Sequence, residues 1–260
     1  MINVIIRIDD IFDKFDFEDL RKWFIKKFPQ IPICFYISYT HLTYLWDIKI
    51  WKKIKKVILQ YSWEIGGHSR SHCRLLLLSK EDLKKDIVNN LNDIEKGLRL
   101  VGLKYKVTSF SYPFGEFNEE IKKILKMNGI YYGLTFPKEK INYKIQLRIP
   151  KNNLYEIGIS SGQDGSVKDW NNRFEQVYRN GDTYILCIHP SQWARGNHIK
   201  NLLRILKSTS IKCFHISLKR FISQIRKNNR EYMWYELEAH LNYIMKHPDV
   251  TFKTFKQLSN

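Results

Sequence analysis

The feature that most constrains the fold is a regular alternation of short apolar runs with amphipathic helical patterns through the first half of the chain. A helical pattern over 17–28, ended by Pro29, separates apolar runs over 2–8 and 31–38. The same alternation then continues with helical patterns over 51–61, 79–100 and 118–127 and apolar runs over 63–65, 107–110 and 130–135. No Gly/Ser-rich linker interrupts it. The pattern therefore predicts an α/β fold with a largely parallel sheet.

The second half of the chain is less regular. It contains credible strands over 145–149 and 184–188, whereas the turn-rich stretch 160–172 predicts a loop. Helical patterns from 199 to 246 surround a strand-like run over 211–216, and a last short strand starts at Val250. Since no change in composition separates the halves, we interpret residues 1–260 as one domain with a helical elaboration around 195–248.

Composition excludes several classes of protein. Hydrophobic residues make up 43% of the chain and aromatic residues 14%, which is typical of a globular protein. No apolar run approaches the roughly 20 residues of a membrane span. The first residues enter a strand pattern without the basic and apolar regions of a signal peptide, which predicts a cytoplasmic protein. The four cysteines are scattered with no CxxC motif, which predicts reduced thiols.

The chain is strongly basic, with 44 Lys and Arg against 26 Asp and Glu and a formal net charge of +18. Such a charge suits nucleic acid, an anionic membrane surface or a phosphorylated substrate. However, the basic residues are spread over nearly every predicted helix and form no nucleic-acid-binding motif. We therefore interpret most of them as solvated helix faces and predict no nucleic-acid partner.

Polar groups capable of chemistry follow four of the predicted strands. In parallel α/β folds, ligands gather at the carboxyl ends of strands. The groups are Asp9 with Asp10, His68 with His72, the turn Tyr112-Pro113-Phe114-Gly115, and His189. Any one of them has a purely structural explanation, such as capping of the following turn by an aspartate, but four at one edge favour a site.

Two of these groups suggest a metal ion. His68 and His72 are four residues apart, so a helix starting at Ser69 would place both imidazoles on one face, where they could bind zinc or a similar ion. Asp9 and Asp10 are adjacent on a strand, so their side chains point to opposite sides. One carboxylate can then face a metal while its neighbour faces a reacting water.

Four motifs resemble, in order, those of the polysaccharide deacetylases, the NodB-homology or carbohydrate esterase family 4 group. They are Ile8-Asp9-Asp10, Gly66-Gly67-His68-Ser69-Arg70-Ser71-His72, Ser111-Tyr112-Pro113-Phe114-Gly115 and Ile188-His189-Pro190. The resemblance covers residues 1 to 190, and the segment after Val250 resembles the family's closing strand. It implies a distorted, partly open (β/α) barrel of the NodB-homology type that holds one divalent metal, most commonly Zn²⁺.

The resemblance also implies a role for each group. The metal ligands would be Asp10, His68 and His72. Asp9 would be the general base, and the backbone N–H of Phe114 would help to hold the oxyanion. His189 would protonate the leaving amine, which gives hydrolysis of an N-acetyl group on an amino sugar.

The chain departs from the family pattern at Ser111, where the family usually has an arginine that orients the base. Arg7 could replace it, because Arg7 lies two residues before Asp9 and on the same side of the strand. Arg148 is the second candidate. Three further residues are candidate substrate contacts: Tyr112, Trp193 and Arg195. A sugar could stack on Trp193 and an anion could pair with Arg195, although packing and solvation explain these two residues equally well.

These observations predict a metal-dependent carbohydrate N-deacetylase. The alternative is a catalytically silent sugar-binding protein of the same fold, which the departure at Ser111 keeps open. A nucleic-acid binder rests on charge alone. Because no export signal is evident, the expected substrate is a phosphate-bearing sugar precursor, nucleotide-linked or lipid-linked, of surface polysaccharide or lipopolysaccharide. A lipid-linked substrate would involve peripheral contact with a membrane.

Overall fold

The computed structural model of the chain describes residues 2–12, 14–38, 47–136, 154–162, 166–189 and 231–258. Its first elements are β1 (Ile2–Ile11), α1 (Lys14–Lys27), β2 (Ile33–Ile37), α2 (Ile48–Tyr61), β3 (Glu64–Gly67), α3 (Lys80–Leu100), β4 (Ser109–Ser111) and α4 (Glu119–Met127). They are followed by β5 (Tyr132–Leu134), β6 (Tyr155–Ile157), β7 (Ser161–Gly162), α5 (Val167–Asn180), β8 (Tyr184–Ile188), α6 (Glu231–Ile244), β9 (Val250–Phe252) and α7 (Phe255–Leu258).

The described strands form one sheet in which every pair is parallel. Its order is β6-β5-β4-β3-β2-β1-β8-β7, and β9 also pairs with β1. The sheet curls so that one face encloses a small inner core while the other carries the helices and the main core. This is the α/β fold that the sequence pattern predicts and the partly open (β/α) barrel that the family resemblance implies.

Alternation along β1 decides which side chains enter the barrel. Val4, Ile6 and Ile8 belong to the outer core between sheet and helices, whereas Ile5 belongs to the inner core. Because neighbouring side chains point to opposite faces of a strand, Arg7 continues the inward series that Ile5 begins. A charged side chain is thereby placed inside the barrel, where it needs a partner.

The amino-terminal end of the barrel is closed by α7, and we call this region the barrel floor (Glu64, Ser109, Phe255, Lys256, Leu258). Phe255 and Leu258 pack in the inner core. The Oε1 atom of Glu64 accepts a hydrogen bond from Ser109 Oγ at 2.6 Å, and its Oε2 atom accepts one from the Lys256 N–H at 2.7 Å. The floor therefore holds a buried carboxylate whose partners are neutral.

Most elements lie where the sequence predicts them, including α3, whose N-cap Ser79 accepts a hydrogen bond from the Asp82 N–H. The loop predicted over 160–172 is wrong, because this stretch contains β7 and the start of α5. A capping box between Ser166 and Asp169 starts that helix. The strands predicted over 145–149 and 211–216 lie outside the described residues, and the elaboration around 195–248 is described only from residue 231 onward, as α6.

The cysteines differ from the expectation. Cys34 and Cys187 are free and buried, as expected, but Cys73 is disulfide-bonded, so the prediction of reduced thiols is wrong at this position. Among the described residues, no helix has the length and apolarity needed to cross a membrane.

Candidate metal centre

Four strands of the barrel bring the predicted site residues to one end. His68 follows β3, Ser111 ends β4 and His189 follows β8, so all three lie at strand carboxyl ends. The pairing of β1 with β2 shifts register between Ile8 and Ile11, and Asp10 has a φ of 59°. This irregularity redirects the end of β1 toward the opening, as bulges next to active sites commonly do.

Asp10, His68 and His72 converge on one point. Asp10 Oδ1 lies 3.0 Å from His68 Nε2 and 2.9 Å from His72 Nε2. One ligand-capable atom of each of the three lies within 4.8 Å of the others. Two imidazole nitrogens and one carboxylate oxygen are the donor set of many catalytic zinc sites, which leave further positions open to water and substrate.

The hydrogen bonding of His68 supports the fit to a cation. Its Nδ1 lies 2.7 Å from the carbonyl oxygen of Ser111, which can only accept, so Nδ1 carries the proton. In the neutral ring, Nε2 then presents a lone pair to the carboxylate of Asp10. Two lone pairs at 3.0 Å repel each other unless a cation lies between them or the ring is doubly protonated. The bond from Nδ1 to the Ser111 carbonyl is the kind of outer contact that commonly orients metal-binding histidines.

The histidine motif does not fold as the sequence suggests. The helix starting at Ser69 that would place both imidazoles on one face does not form: no helix spans residues 68–72, and both Ser69 and His72 have positive φ angles, of 60° and 53°. Helix α3 holds this loop instead, because the side chain of Asp86 accepts hydrogen bonds from the backbone N–H groups of Arg70 and Ser71. The two histidines therefore meet through loop geometry and not through a shared helix face.

Backbone strain is concentrated around this centre. Five described non-glycine residues have positive φ, and four of them, Asp10, Ser69, His72 and Phe114, belong to the site. Each such conformation costs on the order of 1–3 kcal/mol and persists only where the surrounding structure enforces it. Strain of this kind is typical of positions where geometry serves function.

Asp9 lies inside the barrel and is held by Arg7. Arg7 Nε donates to Asp9 Oδ1 at 3.0 Å and Nη2 donates to Oδ2 at 2.5 Å. Ser111 Oγ accepts from Arg7 Nη2 and donates to Asp9 Oδ2, both at 2.8 Å. Burial opposes ionisation of Asp9, but the guanidinium of Arg7 keeps the pKa of this carboxyl below its usual value. Asp9 is therefore an oriented carboxylate that can accept a proton.

A second group of ligand-capable side chains adjoins the base. Atoms of Asp9, Cys187 and His189 also lie within 4.8 Å of one another, and Cys187 Sγ is 3.6 Å from Asp9 Oδ2. The guanidinium of Arg7 already supplies the positive charge there, and burial raises the pKa of the Cys187 thiol well above its usual value. We therefore interpret this group as the surroundings of the base and not as a second metal site.

His189 lies at the rim of the barrel, 9% exposed. Its ring stacks on that of Phe136, with centroids 5.8 Å apart and planes 26° apart. The ring of Phe136 also lies 5.0 Å from the guanidinium carbon of Arg7. Phe136 thus packs against one face of the His189 ring and holds it at the rim.

The turn after β4 contains two predicted site residues, Phe114 and Tyr112, and only Phe114 lies beside the metal ligands. The ring of Phe114 lies 5.2 Å from that of His72, so the turn borders the metal ligands. Tyr112 as a substrate contact is wrong, because its side chain is fully buried in the outer core and stacks on Phe117. Its hydroxyl points at Gly133, where even a methyl group would not fit. Trp193, Arg195 and Arg148 lie outside the described residues.

Several supporting residues escape the sequence reasoning, namely Asp86, Asn90, Phe136 and Cys187. The pair on α3 leaves a signal, because the helical period places the polar residue Asn90 on the apolar face of this helix, four residues after Asp86. Asn90 Oδ1 accepts from the His68 N–H at 3.0 Å. Phe136 and Cys187 leave no signal, since an aromatic residue and a cysteine near strand ends are ordinary core residues.

Comparison with known proteins points to one family. The sequence model of the polysaccharide deacetylase family matches residues 29–133. This range includes His68, His72 and Phe114 and leaves out Asp9 and His189. No protein in a search of curated sequences matched the chain.

Solved structures share the fold at low sequence identity. A putative polysaccharide deacetylase from Mycobacterium smegmatis is 14% identical with a TM-score of 0.62, over 99% of this chain and 88% of that one. The Xyl-CE4 domain of a multidomain xylanase, from the hindgut metagenome of Trinervitermes trinervoides, is 13% identical with a TM-score of 0.55, over 98% and 88%. A mutant of a CE4 family pseudoenzyme is 14% identical with a TM-score of 0.54, over 99% and 67%.

Proposed function

We propose that this chain is a divergent member of the polysaccharide deacetylase family and a metal-dependent hydrolase that removes an N-acyl group from an amino sugar. One observation carries the proposal. The triad Asp10, His68 and His72 lies directly beside Asp9, whose carboxylate is ionised and held by Arg7. A structural metal site has no use for a neighbouring base, whereas a hydrolytic site requires one.

In this proposal Asp10, His68 and His72 would hold one divalent ion, and Zn²⁺ suits their donor atoms best. When bound, such an ion would activate a water molecule and polarise the acyl carbonyl. The ligands themselves are held by neighbouring residues. The Ser111 carbonyl fixes the ring of His68, and the rings of Phe12 and Phe114 contact that of His72, with centroid distances of 5.0 and 5.2 Å.

Asp9 would accept the proton of the attacking water. A base must be ionised at working pH and must point at the proton that it takes. The bidentate contact with Arg7 meets the first requirement, and together with the hydroxyl of Ser111 it fixes the orientation of the carboxylate, which the second requires. Arg7 and Ser111 together would therefore do the work of the arginine that the family usually places at the Ser111 position.

The remaining steps concern the oxyanion and the leaving group. The backbone N–H of Phe114 would donate to the oxygen of the tetrahedral intermediate, and the positive φ of 61° at this residue sets its direction. His189 would donate a proton to the amine as the C–N bond breaks. Asp9 and His189 have atoms within 4.8 Å of each other, so base and acid adjoin the same small volume.

For the substrate, we propose an N-acylated sugar that carries phosphate, such as a nucleotide-linked or lipid-linked precursor. The support is the net charge of +18, which would draw anions toward the protein. Trp193 and Arg195 remain candidate contacts for the sugar and the phosphate. A long neutral polymer would gain nothing from this charge.

A second candidate is a sugar-binding protein without activity. Ser111 in place of the motif arginine favours it, and one protein with a similar fold is described as a pseudoenzyme. The intact triad and the paired base argue against it, because a silent protein has no need to keep Asp9 ionised.

The test is an acyl-release assay on the metal-loaded protein. Mass spectrometry would follow loss of the acyl group across N-acetylated nucleotide sugars, lipid-linked saccharides and neutral polymers such as chitin oligomers. We expect turnover of the phosphate-bearing substrates that weakens with added salt. Faster turnover of neutral polymer, insensitive to salt, would remove the precursor proposal and leave the hydrolase. Sugar binding without any acyl release would favour the silent protein.

A further inference from the structure

Helix α2 has a composition unlike that of the other described helices. It contains five lysines, at 49, 52, 53, 55 and 56, and no Asp or Glu. Its inner face is apolar, with Ile50, Trp51, Ile54 and Val57 buried against the barrel. Lysines occur throughout the molecule, but on this helix no acidic residue of the same helix offsets them.

Five exposed residues of α2 form one stripe, which we call the lysine stripe (Ile48, Lys49, Lys52, Lys56, Leu59). Ile48, Lys52, Lys56 and Leu59 follow one another at spacings of four, four and three residues, so they share one side of the helix. The three lysines are exposed. Ile48 and Leu59, at the two ends of the stripe, are 51% and 60% exposed.

The three lysines of the stripe differ from the other two lysines of α2. Lys53 pairs with Glu18, and Lys55 Nζ donates to the Val101 carbonyl at 2.8 Å, so two of the five hold α2 against neighbouring elements. In the described part of the chain, the lysines of the stripe have no ion-pair partner, whereas Lys85 on α3 pairs with Glu81. A row of unpaired cations flanked by exposed aliphatic side chains requires an explanation outside the fold.

We propose that the lysine stripe docks the protein on an anionic phospholipid surface. The lysines would pair with lipid phosphates, each adding roughly fivefold to the affinity. Ile48 and Leu59 would enter the boundary between headgroups and acyl chains, as apolar side chains of interfacial helices do. A nucleic acid would satisfy the lysines but would offer nothing to the two aliphatic side chains, which is why we favour a membrane.

The orientation of α2 gives this docking a consequence. The helix follows β2 and precedes the parallel strand β3, so its first turn lies at the carboxyl ends of the strands, where the candidate metal centre lies. A protein lying with α2 along a membrane would present the mouth of the barrel at the level of the headgroups. Docking itself does not depend on the proposed hydrolase activity.

The test is co-sedimentation of the full chain with vesicles of phosphatidylcholine, with and without phosphatidylglycerol. The stripe variant is Lys49→Gln/Lys52→Gln/Lys56→Gln. Its matched control is Lys84→Gln/Lys123→Gln/Lys126→Gln, which removes the same charge from exposed positions of α3 and α4. We expect the stripe variant to bind anionic vesicles on the order of a hundredfold more weakly, and the control to bind within a few fold of the wild type. Circular dichroism would confirm that both variants are folded.

Equal weakening in the two triple variants would overturn the proposal, because the attraction would then come from net charge alone. Failure of the wild type to bind anionic vesicles would overturn it as well. A third comparison separates membrane from polyanion: Leu59→Ser against Leu100→Ser, which is 64% exposed on α3. We expect Leu59→Ser alone to weaken vesicle binding while leaving heparin binding unchanged. No effect of Leu59→Ser on vesicles would mean that the stripe binds polyanions in general.

Discussion

Two buried carboxylates inside the same barrel behave in opposite ways. Asp9 lies near the open rim and Glu64 lies in the floor, and both are at most 2% exposed. Burial works against ionisation of both. The pKa of Asp9 is nevertheless lowered, because Arg7 supplies a charge and hydrogen bonds, whereas burial leaves the pKa of Glu64 raised, because Ser109 and the Lys256 N–H are neutral partners.

The comparison shows that the charge of the hydrogen-bonding partners, and not the degree of burial, determines which carboxyl group is ionised and can act as a base. At the rim the chain keeps a buried charge pair, which hydrophobic replacements of similar shape often match or exceed in stability. At the floor it uses a carboxyl group as a hydrogen-bond acceptor that closes the barrel with α7. The buried ion pair of Arg7 and Asp9, which costs desolvation free energy, thus lies at the end of the barrel that carries the metal ligands.

The largest expected effect is on catalysis at the rim. We predict that His189→Ala and Asp9→Asn each lower acyl release by about a hundred- to ten-thousand-fold, because both residues transfer protons. Metal content should stay unchanged, since neither is a proposed ligand. Steady-state kinetics and elemental analysis of the same preparations measure both properties. Loss of metal in Asp9→Asn would mean that the roles of Asp9 and Asp10 are reversed.

The next effect concerns the charge pair. Arg7→Met leaves the carboxylate of Asp9 buried without its cation, so we predict a loss of about 3–5 kcal/mol in the free energy of unfolding. Because Arg7 lowers the pKa of Asp9, the acidic limb of the activity profile should also move to higher pH. Denaturant titration and a pH–rate profile measure the two effects.

A double variant sharpens this result. Arg7→Met/Asp9→Asn removes both charges, so it should be more stable than Arg7→Met alone. The control is Arg148→Met. Full activity and stability in Arg7→Met, together with a loss in Arg148→Met, would assign the role of the missing arginine to Arg148.

A third buried group extends the comparison to the outer layer. The ring of His240 bonds to the Tyr184 hydroxyl at 2.9 Å and to Asn171 Oδ1 at 2.7 Å, and burial lowers its pKa from 6.5 to about 3. The folded protein therefore rejects a proton that the unfolded chain accepts. Stability should be full above pH 6.5 and fall below it, by at most about 1.4 kcal/mol per pH unit. His240→Gln should flatten this slope in denaturant titrations between pH 7 and 5; an unchanged slope would assign it to other groups.

The smallest effect is expected at the floor. Glu64→Gln removes a charge that burial disfavours while keeping an acceptor for Ser109 or the Lys256 N–H, so stability at pH 7 should change by less than about 1 kcal/mol. Activity should stay within a few fold, because the floor does not touch the site. Thermal unfolding and acyl release measure the two properties. Destabilisation as large as that of Arg7→Met would show that Glu64 is part of a charge network and would end the contrast between rim and floor.

Much of this architecture is predictable from the sequence, because strand and helix periods are local. The strand over 184–188 and the helix after Ser79 follow from such patterns. The partnership of Arg7 with Asp9 is also predictable, since alternate residues of a strand share a side. The loop at His68–His72 is not, because its positive φ angles depend on Asp86 and α3, which are distant in sequence.

Other features depend entirely on packing across the barrel. Ser111 reads as a departure from the motif, and only the fold shows that its hydroxyl bridges Arg7 and Asp9. Tyr112 reads as a neighbour of the site, but β4 turns its side chain to the helix side. Adjacent side chains at the end of β4 point to opposite faces of the sheet, so Ser111 faces the barrel interior and Tyr112 faces the helices. The motif alone does not show which of the two faces the site.

The central claim is that Asp10, His68 and His72 hold a divalent metal ion beside the base. The direct measurement is elemental analysis of the purified protein, of His72→Ala, and of His247→Ala, a control histidine that pairs with Glu175 in the helical layer. The account predicts close to one equivalent of a divalent metal, most commonly zinc, in the wild type and in His247→Ala, and little in His72→Ala. Undiminished metal in His72→Ala would contradict it.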